Sequence, residues 1–79
     1  MPRAIEARVL AVLGASLGAD LDRIQPASRL VDDLCADSLE LLDMVMMLND
    51  EFGIEIGVED IVGIRTVADV EAAVARRLA

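Results

Sequence analysis

Apolar residues recur at helical spacing in three separate stretches of this 79-residue chain, and only one short stretch alternates like a strand. Ile5, Val9, Val12, Leu13 and Leu17 repeat every three or four residues, and Gly18 follows where a C-terminal cap would stand, so a first helix is expected over Ala4 to Leu17. Leu41, Met44, Val45, Leu48 and Phe52 give the second, from Ser38 to about Glu51. Val67, Val70, Val74 and Leu78 form the inward face of a last helix, opened by Thr66 with Asp69 in a capping-box relation. Arg76 and Arg77 in its last turn suit the negative end of the helix dipole. Ile54-Glu55-Ile56-Gly57 has no second strand to pair with and reads as an extended loop, while Val58 to Val62 reads as a short helix. The expected fold is all-α, a small bundle of three main helices plus one short one.

The length allows a single domain, residues 1–79, with little stability in reserve. Between Gly18 and Ala36 the apolar residues Leu21, Ile24, Leu30, Val31 and Leu34 follow no sustained period. So long a connection must be packed or functional, and one helical turn is expected within Leu30 to Leu34.

Charge is unevenly spread. Ten of the 15 acids (Asp32, Asp33, Asp37, Glu40, Asp43, Asp50, Glu51, Glu55, Glu59 and Asp60) lie between Arg29 and Arg65 with no base among them, whereas the flanks hold all seven arginines. The net charge of −8 is thus a local acidic field, which favours basic protein surfaces and disfavours nucleic acid or anionic lipid. The apolar runs are too short to span a bilayer, and the first residues lack the hydrophobic stretch of a signal peptide, so a cytoplasmic monomer without membrane insertion is expected. A lone cysteine, Cys35, and the absence of histidine leave no zinc ligand set, and the acids miss the spacing of a calcium loop.

The tetrapeptide Asp37-Ser38-Leu39-Glu40 concentrates the functional signal. Asp37 is placed to cap the second helix with Glu40 answering it, which leaves the Ser38 hydroxyl outward on a first turn whose free N–H groups suit a phosphate. At about 100° per residue, Leu39, Leu42 and Met46 fall opposite the core stripe, beside Asp43 and Asp50. An apolar strip edged by carboxylates has the composition of a docking surface. The competing reading is that so small a bundle wraps this helix completely and buries both stripes. Ser38 is a poor nucleophile for intrinsic catalysis, because the chain has no His, Lys or Tyr to act as its base. No enzyme activity is expected.

Leu34-Cys35-Ala36-Asp37-Ser38-Leu39, the acidic residues after it and Glu51-Phe52 closely resemble the acyl carrier proteins. Leu17-Gly18, Leu30-Val31-Asp32-Asp33-Leu34, Val45-Met46-x-Leu48 and Ile64-x-Thr66-Val67 extend the likeness over nearly the whole chain. The resemblance implies that Ser38 receives 4'-phosphopantetheine from coenzyme A through a separate holo-acyl-carrier synthase, and that the arm carries acyl groups as thioesters. It further implies that Asp37, Leu39, Glu40, Leu42, Asp43, Met46, Asp50 and Glu51 meet basic surfaces of acyl transferases, ketosynthases or related enzymes of fatty acid, polyketide or lipid biosynthesis. Interiors of such proteins also admit acyl chains.

Cys35 departs from the family, which usually has glycine there, and reads as a small semi-buried side chain; a mixed disulfide with the arm's thiol is the alternative. Gly57 stands where proline is common, and Leu41 and Met47 add apolar bulk to the second helix. Two other functions stay open at this level. One is an aminoacyl or peptidyl carrier, whose motif usually lacks the aspartate before serine; the other is an unmodified acidic adaptor.

The acidic field generates a stability prediction. Added salt or millimolar divalent cations should raise the melting temperature by screening self-repulsion, and an unchanged or lower value would contradict it.

Overall fold

Gly18 turns the chain out of its first helix at φ +64°, a left-handed conformation that costs glycine nothing. The computed structural model describes residues 3–18 and 20–78. Within them run α1 (Arg3–Leu17), a 3-10 turn (Leu21–Arg23), α2 (Ser38–Phe52), α3 (Val58–Val62) and α4 (Val67–Leu78). The only β pairing among the described residues is a single bridge between Arg29 and Thr66. This is the all-α arrangement of three main helices and one short helix that the apolar spacing predicts.

The core is a contiguous cluster in which Val9, Val12, Leu13 and Leu17 of α1 join Met44, Val45 and Leu48 of α2 and Val67, Val70 and Val74 of α4. Burial of a Leu or Val side chain contributes about 2 kcal/mol, so these positions supply most of the driving force. Two details of α4 depart from expectation. Leu78, read as inward, is exposed because it is the last residue of the helix and carries past the packed face. Ala73 is fully buried instead.

The connection from Gly18 to Ala36 is packed rather than free. Ile24, Leu30 and Ala36 are buried in the core, and backbone bonds from Leu30 N to the Arg65 carbonyl (2.9 Å), Val67 N to Ser28 (3.0 Å) and Ala68 N to Pro26 (2.9 Å) lash it to the start of α4. The helical turn expected within Leu30 to Leu34 stops short of a helix: Asp33 N and Leu34 N both bond to the Arg29 carbonyl, at 2.9 and 3.0 Å, and the pattern goes no further. A 3-10 turn forms earlier, where the Asp20 side chain accepts from Asp22 N. Beyond α2, Gly53 is a second left-handed cap, and the Asn49 side chain accepts from Ile56 N at 2.9 Å, which holds the extended Ile54–Ile56 segment as a loop.

α3 is five residues long and too short to stand on its own propensity. It is fastened by Asp60, the one buried charged side chain among the described residues. Its carboxylate accepts from Gly57 N (3.1 Å), from Arg77 Nε (3.1 Å) and from Arg76 (3.4 Å), while Arg77 also reaches Glu59 (3.2 Å). The two arginines read from sequence as partners of the helix dipole therefore clasp α4 to α3. A buried carboxylate with three donors is satisfied; removing those donors would leave it uncompensated.

The clasp makes stability depend on pH. Hydrogen bonds from Arg77 and from Gly57 N hold the Asp60 carboxyl below its ordinary value, against the opposing effect of burial. A depressed pKa in the folded state gives stability that is present above the unfolded value of about 4 and is lost as pH falls through the folded value. Asp60→Asn is therefore expected to lower the melting temperature at pH 7, with the gap to the parent narrowing steadily below about pH 4. Thermal scans showing the same gap at pH 7 and in acid would contradict this role.

Candidate functional site

The site is built on the start of α2. Asp37 is extended (φ −99°, ψ 179°), and its side chain accepts from Glu40 N at 2.8 Å while Glu40 Oε1 accepts from Asp37 N at 3.1 Å. This reciprocal cap fixes Ser38 as the first helical residue. Ser38 is exposed, its Oγ makes no hydrogen bond, and no acceptor among the described residues takes the N–H of Ser38 or Leu39. Free donors at the positive end of a helix dipole, beside an accessible hydroxyl, fit a phosphate ester on that oxygen.

The segment leading into Ser38 is bent. Cys35 sits at φ +59° and is exposed, which overturns its reading as a semi-buried side chain. It is the only described non-glycine residue with positive φ. The chain there must leave the Arg29–Leu34 turn, bury Ala36 through a bond from its N–H to the Leu30 carbonyl (2.9 Å), and still reach Asp37 in extended geometry. That route needs a left-handed residue at position 35 whichever side chain stands there. Sequence shows only that cysteine stands where glycine is usual; the backbone explains why glycine is favoured.

α2 separates two faces. Met44, Val45 and Leu48 are buried, and Leu41 and Phe52 pack against the core. Leu39, Leu42 and Met46 are 72, 51 and 65% exposed, so the bundle does not wrap the helix. Asp37, Asp43 and Asp50 are exposed beside them, whereas Glu40 is half-buried by its part in the cap. Val62, at the end of α3, is also exposed.

Glu51 lies about 120° from Leu39 around the helix, apart from Asp43 and Asp50. Its carboxylate is held at 2.8 Å by Arg8, whose guanidinium also donates to the Glu51 carbonyl at 2.6 Å and lies over the Phe52 ring at 4.4 Å from its centroid. Glu51 ties α2 to α1.

The same pairing narrows the acidic field. Arg29 pairs with Asp32 and Asp33, Arg8 with Glu51, and Arg76 and Arg77 with Asp60 and Glu59. Among the described residues, the acids of the run without an ion-pair partner are Asp37, Glu40, Asp43, Asp50 and Glu55. Four of these five lie on α2 or cap it.

Beside α2, a cleft of about 310 Å³ is lined by Leu30, Val31, Leu41 and Ile64 with Arg29, Asp32 and Arg65. Leu41 is one turn on from Ser38 and places this cleft near the hydroxyl. No described helix is long and apolar enough to cross a membrane.

Comparison with known proteins converges on one family. The profile of the phosphopantetheine attachment site matches residues 7–74. An acyl carrier protein of Syntrophobacter fumaroxidans (strain DSM 10017 / MPOB) is 40% identical over 67 residues, covering 85% of this chain and 83% of that protein. A solved structure from Mycobacterium tuberculosis assigned to the acyl carrier proteins superposes with a TM-score of 0.85 at 39% identity, over 91% of this chain and 96% of that one. The acyl carrier protein of Thermotoga maritima gives 0.77 at 30% identity, over 91% of this chain and 84% of that one.

Relief of the Cys35 backbone is measurable. Cys35→Gly should stabilise the fold by about 1 kcal/mol, although glycine usually destabilises, because the left-handed penalty exceeds its extra unfolded-state entropy. A loss of stability in urea unfolding would mean that the residue carries no such strain.

Proposed function

The chain belongs to the acyl carrier proteins, carriers rather than catalysts that use 4'-phosphopantetheine, and from that premise we propose that Ser38 is the residue modified. The observation that carries this is its exposed, unbonded Oγ on the capped first turn of α2, with the free N–H groups of Ser38 and Leu39 beside it. In this reading Ser38 is the substrate of a separate holo-synthase acting on coenzyme A, which removes the difficulty that the chain has no base to activate it. When attached, the group supplies a terminal thiol that carries acyl cargo as thioesters.

The residues of α2 then divide the remaining work. Asp37 and Glu40 hold Ser38 at the helix start. Asp43 and Asp50 steer basic partner surfaces, while Leu39, Leu42 and Met46 form the apolar centre of the contact, where most of the affinity of such interfaces resides. Glu51 is left out because Arg8 occupies it. The partners in this reading are the holo-synthase and acyl-handling enzymes of fatty acid, polyketide or related lipid biosynthesis, met in the cytoplasm by a single-domain monomer. The aspartate before Ser38 and the unpaired acids of α2 favour acyl over aminoacyl or peptidyl cargo.

Incubation with coenzyme A, magnesium and a promiscuous holo-synthase should add the mass of one phosphopantetheine, mapped to Ser38 and absent in Ser38→Ala. No gain on the parent would favour an unmodified acidic adaptor. Asp43→Arg should lower kcat/KM for that modification about tenfold at low salt, the loss shrinking as salt is added. An effect independent of salt would remove the steering role.

A further inference from the structure

Met46 is the most exposed thioether among the described residues. At 65% exposure it stands on the same apolar strip as Leu39 and Leu42, whereas Met47 is 37% exposed and Met44, at 1%, is sealed in the core. Asp43 and Asp50 flank it at i−3 and i+4, and neither carboxylate has an ion-pair partner among the described residues. Methionine fills this position as leucine would, but it alone of the three strip residues carries an oxidisable atom.

Oxidation would change what the strip offers. The thioether lone pair attacks one oxygen of hydrogen peroxide, the O–O bond breaks, and the departing hydroxide takes up a proton to leave as water; sulfur loses two electrons and peroxide gains them. The carboxylates on either side disfavour an anionic oxidant but place no barrier before a neutral peroxide. Asp43 and Asp50 offer the new sulfoxide oxygen only acceptors, and the Asn49 side chain at i+3 is engaged with Ile56 N at 2.9 Å, so that oxygen draws on water. A partner covering the strip would have to remove this water and bury a polar group where the thioether needed nothing. The core does not feel the change, because Met46 lies outside it.

We propose that Met46 is a site of reversible oxidation by peroxide, and that its sulfoxide weakens docking at α2 without unfolding the bundle. Reversal needs a thiol-dependent sulfoxide reductase, which spends two thiols, returns the thioether and releases water and a disulfide. The proposal rests on the reading in which Leu39, Leu42 and Met46 form the contact through which the holo-synthase reaches Ser38.

The test treats the full chain with hydrogen peroxide, removes the excess with catalase, and adds dithiothreitol, which resets reversible oxidation of Cys35 and leaves methionine sulfoxide in place. Peptide mass mapping should place the first added oxygen on Met46, with the melting curve still cooperative. The kcat/KM for phosphopantetheine transfer to Ser38 should then fall about tenfold, the scale of one buried unpaired polar group, and recover after treatment with sulfoxide reductases for both epimers. Unlike the loss in Asp43→Arg, this one should not shrink as salt is added, since no charge has changed. Met46→Leu should keep its own starting rate through the same treatment, whatever that rate is, while Met47→Leu should lose activity as the parent does. A first oxygen on Met44, Met47 or Cys35, a Met46 sulfoxide that transfers at the parent's rate, or an equal loss in Met46→Leu would each overturn the proposal while leaving carriage on Ser38 intact. No transfer to the untreated parent would overturn the reading it rests on, and the proposal with it.

Discussion

The reciprocal hydrogen bonds between Asp37 and Glu40 set the register of α2, and most of the molecule follows from that register. One cap of this kind is worth about 1 kcal/mol, a small share of the folding free energy. Its larger effect is positional. Starting the helix one residue earlier or later would rotate every side chain by about 100°, moving the stripe of Met44, Val45 and Leu48 off the core. The same two side chains occupy the N–H groups of Asp37 and Glu40 and leave those of Ser38 and Leu39 free. Helix register, core composition and an anion-ready hydroxyl are thus consequences of one local motif.

Electrostatics refines this arrangement. The acidic run looks uniform in sequence, but in three dimensions arginines from α1, from the long connection and from α4 fold back onto its two ends and onto Glu51. Exposed pairs of this sort add little stability. Their consequence is to erase charge around α3 and the Arg29–Leu34 turn while leaving it on the start and solvent face of α2. In the proposed function, a partner approaching by charge is steered to the helix that bears Ser38 and the exposed apolar strip. The clasp of Arg77 on the buried Asp60 does a different task, holding a five-residue helix that packing alone would leave loose.

What was legible in the sequence is what depends on local chemistry. Helix period, the Asp37 and Thr66 caps, the Gly18 stop and the two faces of α2 are all encoded within a few residues of where they act, and the structure follows them closely. What was not legible depends on contacts across the chain. Arg76 and Arg77 read as helix-dipole partners because nothing in their own segment points to Asp60, 16 and 17 residues away. Nothing in the segment around Glu51 points to its ion pair with Arg8, 43 residues earlier. Cys35 read as a small half-buried side chain because the demand for a left-handed residue comes from the path between the Arg29–Leu34 turn and Asp37. Family resemblance supplied the chemistry of the attached group, which residue patterns alone left as a helix start suited to phosphate.

The most direct measurement is tandem mass spectrometry of the intact protein recovered from the cells that make it. The account predicts a population whose added mass fragments as a phosphopantetheine arm located on Ser38. Finding the arm on Ser16 or Ser28, or finding Ser38 always bare while a competent holo-synthase is present, would contradict it.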